Sequence, residues 1–150
     1  MNLFSKLKTQ ILGGVKRVHL RAKEYGLSLA LGERYVGIIY DKNGKPLHHL
    51  VLLQEPVNEM TWLGAARWAK SIGGLLPTIQ ELILIFNNHE SSLDAQWYWS
   101  SEIHPQNEKS VFIVHLGSGE QTVTYKIDEL ATIAIRRIPI FSNQNPSIVH

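Results

Sequence analysis

The sequence predicts an α+β fold: a mostly antiparallel sheet with two helices, preceded by an N-terminal amphipathic helix. Three observations carry that prediction. Strand-like segments come before and after a pair of helical ones instead of alternating with them, the order of α+β domains and not of parallel βαβ folds. Asn43-Gly44 lies between two apolar runs, which suits the positive φ angles of a tight hairpin turn. Thr78-Ile79-Gln80-Glu81 has the form of a capping box and runs straight into the apolar stretch Leu82–Phe86.

The first element is a basic arm, residues 1–25. Leu3, Phe4, Leu7, Ile11, Val15 and Val18 fall on one face of a helical wheel, with Lys6, Lys8, Lys16 and Arg17 off it. Gly13-Gly14 weakens the helix, at about 1 kcal/mol per glycine relative to alanine. Residues 1–23 carry six basic groups and no acid, so the remaining nine of the 15 Lys+Arg face all 13 Asp+Glu. The small net charge of +2 is therefore an average over a basic arm and an acidic domain. The apolar face suits packing on the chain's own domain or on a second copy, and the basic face suits an anionic surface or nucleic acid. Homo-oligomerisation is the preferred reading, with Phe4, Leu7, Ile11, Lys6, Lys8, Lys16 and Arg17 as the partner contacts.

The domain spans residues 26–139. Tyr35–Tyr40 and Leu47–Leu53 form the hairpin around Asn43-Gly44, and Glu55-Pro56-Val57-Asn58 closes the second strand, since proline cannot donate to a ladder. Thr61 is the N-cap of a helix through Ser71, which Gly73-Gly74 ends. Pro77 holds Leu76 extended ahead of the second helix, which Asn87-Asn88 stops. Strands follow at Trp97–Ser101, Val111–Leu116, Glu120–Tyr125 and Leu130–Ile138, with a Gly117-Ser118-Gly119 turn between the second and third. Along Trp97–Ser101, Trp97 and Trp99 share one face and Tyr98 takes the other. Arg136 and Arg137 point to opposite faces, and at least one needs a structural partner. Residues 140–150 form a polar tail.

Four segments, in order, carry a family resemblance: Thr61-Trp62 with Ala65-Ala66; Leu76-Pro77-Thr78 with Glu81-Leu82; Trp97-Tyr98-Trp99-Ser100-Ser101; and Ala134-Ile135-Arg136-Arg137. Together they resemble the bacterial and prophage domain of unknown function typified by the C-terminal domain of collagen-like adhesins, which is similar to C-type lectin folds. The resemblance covers about residues 60–138, and Gly32–Leu53 looks like the extension of prophage-encoded members. It implies a C-type-lectin-like scaffold whose loops serve recognition, in an oligomer on a bacterium or phage particle.

Chemistry narrows the function further. Glu55-Pro56-Val57-Asn58 interrupts the calcium-binding Glu-Pro-Asn signature of C-type lectins, and Trp97 is followed by Tyr98 where those lectins have Asn-Asp. Calcium-dependent sugar binding is not expected, nor is any metal. The formylglycine-generating oxidases have a similar fold but depend on cysteine, and this chain has none. His48 and His49 diverge as strand neighbours, and His115 with Ser118 lacks an orienting acid. His89 and His104 are read as loop histidines. No catalytic residue and no cofactor is assigned.

The expected function is a non-catalytic module, prophage-encoded, that recognises a protein or carbohydrate ligand. Its surface is expected in Asn87–Gln96, Glu102–Lys109 and Gly117–Glu120, with Tyr98, Trp99, His104 and Tyr125 as contacts. The alternative is a phage accessory protein that inhibits or adapts a host intracellular nucleic-acid or protein machine through its basic arm. No apolar run approaches the roughly 18 residues of a membrane span. Ile11–Val15, interrupted by Gly13-Gly14, is unlike a signal peptide. A cytoplasmic location is expected, or a phage particle.

Overall fold

A computed structural model describes residues 21–89 and 93–141. The chain order is β1 (Arg34–Tyr40), β2 (Pro46–Leu52), β3 (Val57–Met60), α1 (Trp62–Ser71), α2 (Ile79–His89), β4 (Trp97–His104), β5 (Asn107–His115), β6 (Gln121–Tyr125), β7 (Leu130–Thr132) and β8 (Ile135–Pro139). The strands form a three-stranded sheet, β1-β2-β8, and a five-stranded sheet, β3-β7-β4-β5-β6. Among the described residues all strand pairings are antiparallel except β4 with β7. The α+β class is as expected. Among the described residues no helix is long and apolar enough to cross a membrane.

The hairpin and both helix starts follow from local chemistry. Gly44 adopts φ 78°, and Asp41 closes the β1–β2 turn by accepting from the backbone N–H groups of Asn43 and Lys45. Thr61 caps α1, accepting from Gly64 N–H at 3.3 Å. The capping box of α2 is reciprocal: Glu81 N–H donates to Thr78 Oγ1 at 3.2 Å, and Thr78 N–H donates to Glu81 Oε1 at 2.9 Å.

Two clusters divide the core across the five-stranded sheet. On one face, Leu82 and Ile85 of α2 pack with Leu50 and Leu52 of the smaller sheet and with Tyr98, Val114 and Leu116. On the other, Ala65 and Ala69 of α1 pack with Trp99, Val111 and Ile113. Adjacent residues Tyr98 and Trp99 thus anchor opposite faces, as strand alternation requires. A third cluster lies on the smaller sheet, where Ala22, Leu27 and Leu29 cover Tyr35, Val51 and Ile138. Residues 21–24 are helical, so the end of the 1–25 arm packs on its own domain.

Three elements depart from expectation. Val57–Met60 is a strand, although Glu55-Pro56 reads as a terminator; Pro56 lies just before it and costs it no hydrogen bond. The segment expected as one strand, Leu130–Ile138, is two strands in different sheets. Both faces are covered at the change: Ile133 and Ala134 are fully buried, and Ala134 accepts from Leu53 N–H. The expected loop Glu102–Lys109 is mostly strand, because β4 and β5 continue to His104 and from Asn107 around Pro105-Gln106.

Candidate functional site

The four expected ligand contacts have different fates. Tyr98 and Trp99 are each 0% exposed, so both are core and not contact residues. Tyr98 donates to Asp94 O at 3.2 Å, and burial pushes its phenol above the ordinary value. Trp99 donates through Nε1 to Met60 O at 2.7 Å. Their polar atoms are used internally, as buried Tyr and Trp require.

His104 and Tyr125 reach one surface. His104 ends β4 instead of sitting in a loop, and its ring stacks on Phe112, centroids 5.5 Å apart at 29°. Register places Phe112 opposite Val123 and Ser110 opposite Tyr125, so all these side chains share one face of the sheet. Tyr125 is 58% exposed and Ile127, two residues on, is 82% exposed. An open groove of about 560 Å³ is lined by Glu108, Lys109, Tyr125, Lys126 and Ile127.

The groove is built on a tied turn. Asp128 accepts from Thr124 Oγ1 and from Tyr125 N–H, while its own N–H donates to Tyr125 O. Lys126 donates its N–H to Lys109 O at 2.8 Å and accepts from Trp62 N–H at 3.1 Å, which joins the turn to both β5 and α1. Its ammonium lies 4.8 Å from the centroid of the Trp62 ring, a cation–π contact. Ile127 is exposed on a backbone that hydrogen bonds hold in place. Sequence reading missed it because an isoleucine beside turn residues looks like the flank of a strand.

The other polar clusters have structural roles. His48 Nε2 lies 3.0 Å from Glu81 Oε2, whereas His49 Nδ1 lies 2.9 Å from the Tyr35 hydroxyl on the opposite face, so the pair diverges as expected. Both arginines are partnered: Arg136 forks onto Glu33, and Arg137 forks onto Glu81. Ser118 Oγ is 3.3 Å from His115 Nδ1, but that nitrogen also accepts from Gly117 N–H, and Ser118 Oγ accepts from Glu120 N–H. This His-Ser pair serves the hairpin turn. Among the described residues no three His, Asp or Glu side chains converge to hold a metal.

Phe4, Leu7, Ile11, Lys6, Lys8, Lys16 and Arg17 lie outside the described residues. Of Asn87–Gln96, helix α2 takes the start through His89 and Leu93 is buried. The Gly117–Gly119 turn forms as expected, with a Cβ at Gly119 falling 2.9 Å from Phe86. No family model matches the chain, and no curated protein is significantly similar to it.

Proposed function

We propose that this chain is a non-catalytic binding module on a C-type-lectin-like scaffold, recognising a protein or carbohydrate ligand through the Tyr125 groove and the adjoining His104–Phe112 stack. The observation that carries this reading is the exposure of Tyr125 and Ile127 on a turn tied to β5 and α1. Apolar groups held in place lose little entropy on binding, so their contact area converts efficiently into affinity. Tyr125 offers a ring face and a hydroxyl, and Glu108 and Lys109 supply a polar rim. The resemblance to prophage-encoded recognition domains supports the same class.

A glycan array and a pull-down from bacterial lysate test it. Tyr125→Ala should weaken the captured ligand at least ~10-fold, as truncation of an aromatic anchor does, and His104→Ala should weaken it less. Absence of any ligand, or binding unchanged in both variants, overturns the reading. Binding that falls steeply with salt and vanishes when Lys6, Lys8, Lys16 and Arg17 are neutralised would instead establish the host-directed accessory protein.

A further inference from the structure

A cover held by side-chain contacts lies on the outer face of the three-stranded sheet. Residues 21–24 form one helical turn that Gly26 ends at φ 68°, with Gly26 N–H donating to Lys23 O at 2.9 Å and Leu27 N–H to Ala22 O at 3.0 Å. This is a Schellman stop, and its apolar contact joins Leu27 to Ala22. Ala22, Leu27 and Leu29 then lie on Tyr35, Val51 and Ile138. Among the described residues the hydrogen bonds of 21–30 stay within 21–33, so no backbone bond ties this cover to β2 or β8.

His49 sits under that cover, 8% exposed. Its ring lies 4.9 Å from the Tyr25 ring, and its Nδ1 lies 2.9 Å from the Tyr35 hydroxyl. β1 and β8 place Ile38 and Ile138 directly opposite it. The titratable and charged neighbours are few. The cover contributes Tyr25, together with Arg21, which acts on the Tyr35 phenol, and β1 contributes Tyr35 and Tyr40. In β2, His48 points to the other face, onto Glu81, and in β8 Arg136 is forked onto Glu33. Among the described residues no carboxylate forms an ion pair with the His49 ring. Burial, with His48 beside it, holds the imidazole below its ordinary 6.5. With the ring neutral, Nδ1 can accept from the Tyr35 O–H; a proton there makes it a donor and leaves a positive charge enclosed by tyrosine and isoleucine.

We infer that His49 is an acid-sensitive latch: its protonation releases residues 21–29, where the basic arm joins the domain, from the outer face of the β1-β2-β8 sheet. A buried charge without a counter-ion is stabilised by reaching water. Opening the sheet would break the β1–β2 and β2–β8 ladders, whereas lifting the cover gives up apolar contacts alone. Tyr25, already 49% exposed, stands at the solvent edge of the cover, directly over the ring. The closed form favours neutral His49, so its closure is kept in full above 6.5 and is lost as pH falls through the closed-form value. Glu81 and Glu33 are lowered from 4.5, so their loss comes at more acid pH and is separable. This inference is independent of the ligand proposed for the groove.

Amide hydrogen exchange of the full chain between about pH 7.5 and about pH 5, corrected for the intrinsic pH dependence of exchange, tests it. Protection at Gly26 and Leu27 should fall by up to about 10-fold per pH unit below 6.5, while the Val114 amide in β5 keeps its protection. His49→Gln, which cannot titrate, should flatten the Leu27 profile, and His48→Gln should keep it. If either variant fails to fold, the His49 ring resonances of the parent decide: the Leu27 loss should level off where that ring titrates. Leu27 protection constant across that range, a pH dependence kept in His49→Gln or lost in His48→Gln, an equal loss at Val114, or a His49 ring that titrates at or above 6.5 overturns the inference.

Discussion

Removing the buried Glu81 carboxylate should cost this fold more than removing the carboxylate of Glu33. Glu81 is 1% exposed and accepts from Arg137 at 2.7 and 2.9 Å, from Thr78 N–H at 2.9 Å, and lies 3.0 Å from His48 Nε2. It joins the start of α2 to β2 and β8. In Glu81→Ala the helix loses half its capping box, about 1 kcal/mol. Arg137 loses two charge-assisted bonds, which are worth about 1.5–3 kcal/mol each when fully buried. Its side chain is 30% exposed, so water recovers part of that loss. The sum is about 3–4 kcal/mol, a large share of the roughly 5–15 kcal/mol that holds a domain folded. Urea unfolding followed by tryptophan fluorescence reads it as a lower midpoint, and thermal unfolding as a fall of about 10 °C. Arg137→Ala should cost a similar amount by leaving a buried carboxylate without its main partner, and the double variant should cost less than the two singles together by at least about 1.5 kcal/mol. Single losses below about 1 kcal/mol, or strict additivity, would refute the reasoning. The Arg136–Glu33 pair, at 34% and 12% side-chain exposure, is the internal comparison and should be worth only about 1 kcal/mol.

The same carboxylate sets a pH dependence. Burial pushes Glu81 up, but Arg137, Thr78 N–H and His48 together outweigh it and hold the group below its ordinary 4.5; Glu33, half-buried beside Arg136, is lowered likewise. Each stabilises fully above the unfolded value and loses that contribution as pH falls through the folded one, so unfolding midpoints should drop below about pH 4.5, and less steeply in Glu81→Gln. Gly74→Ala puts a Cβ 2.4 Å from Leu53 Cδ1 and 3.0 Å from Ile135 O at a buried position, and should destabilise by about 1–3 kcal/mol in the same urea assay. Tyr35→Phe removes the buried contact to His49 Nδ1 and should cost about 1–2 kcal/mol. Burial raises the Tyr35 phenol to about 12, so the phenolate absorbance of the variant should lose a component that titrates late.

Local chemistry made much of this chain legible from its residues alone. The Asn43-Gly44 hairpin, the Thr61 cap, the capping box and the split of Tyr98 from its tryptophan neighbours all depend on groups a few positions apart, whose φ angles, hydrogen bonds or strand alternation hold wherever the segment sits. The chain's division after Thr132 could not be read this way, because an apolar run buried on both faces looks the same whether it stays in one sheet or changes to another. The partners of Glu81 were equally hidden: a capping glutamate announces its own helix, but Arg137 is 56 residues away and only folding aims it there. The recognition surface shows the same limit. Aromatic residues at Tyr98, Trp99 and Tyr125 are chemically alike on paper, and burial alone separates them, because packing of α1 and α2 covers the first two while β6, at the sheet's edge, leaves Tyr125 in the open.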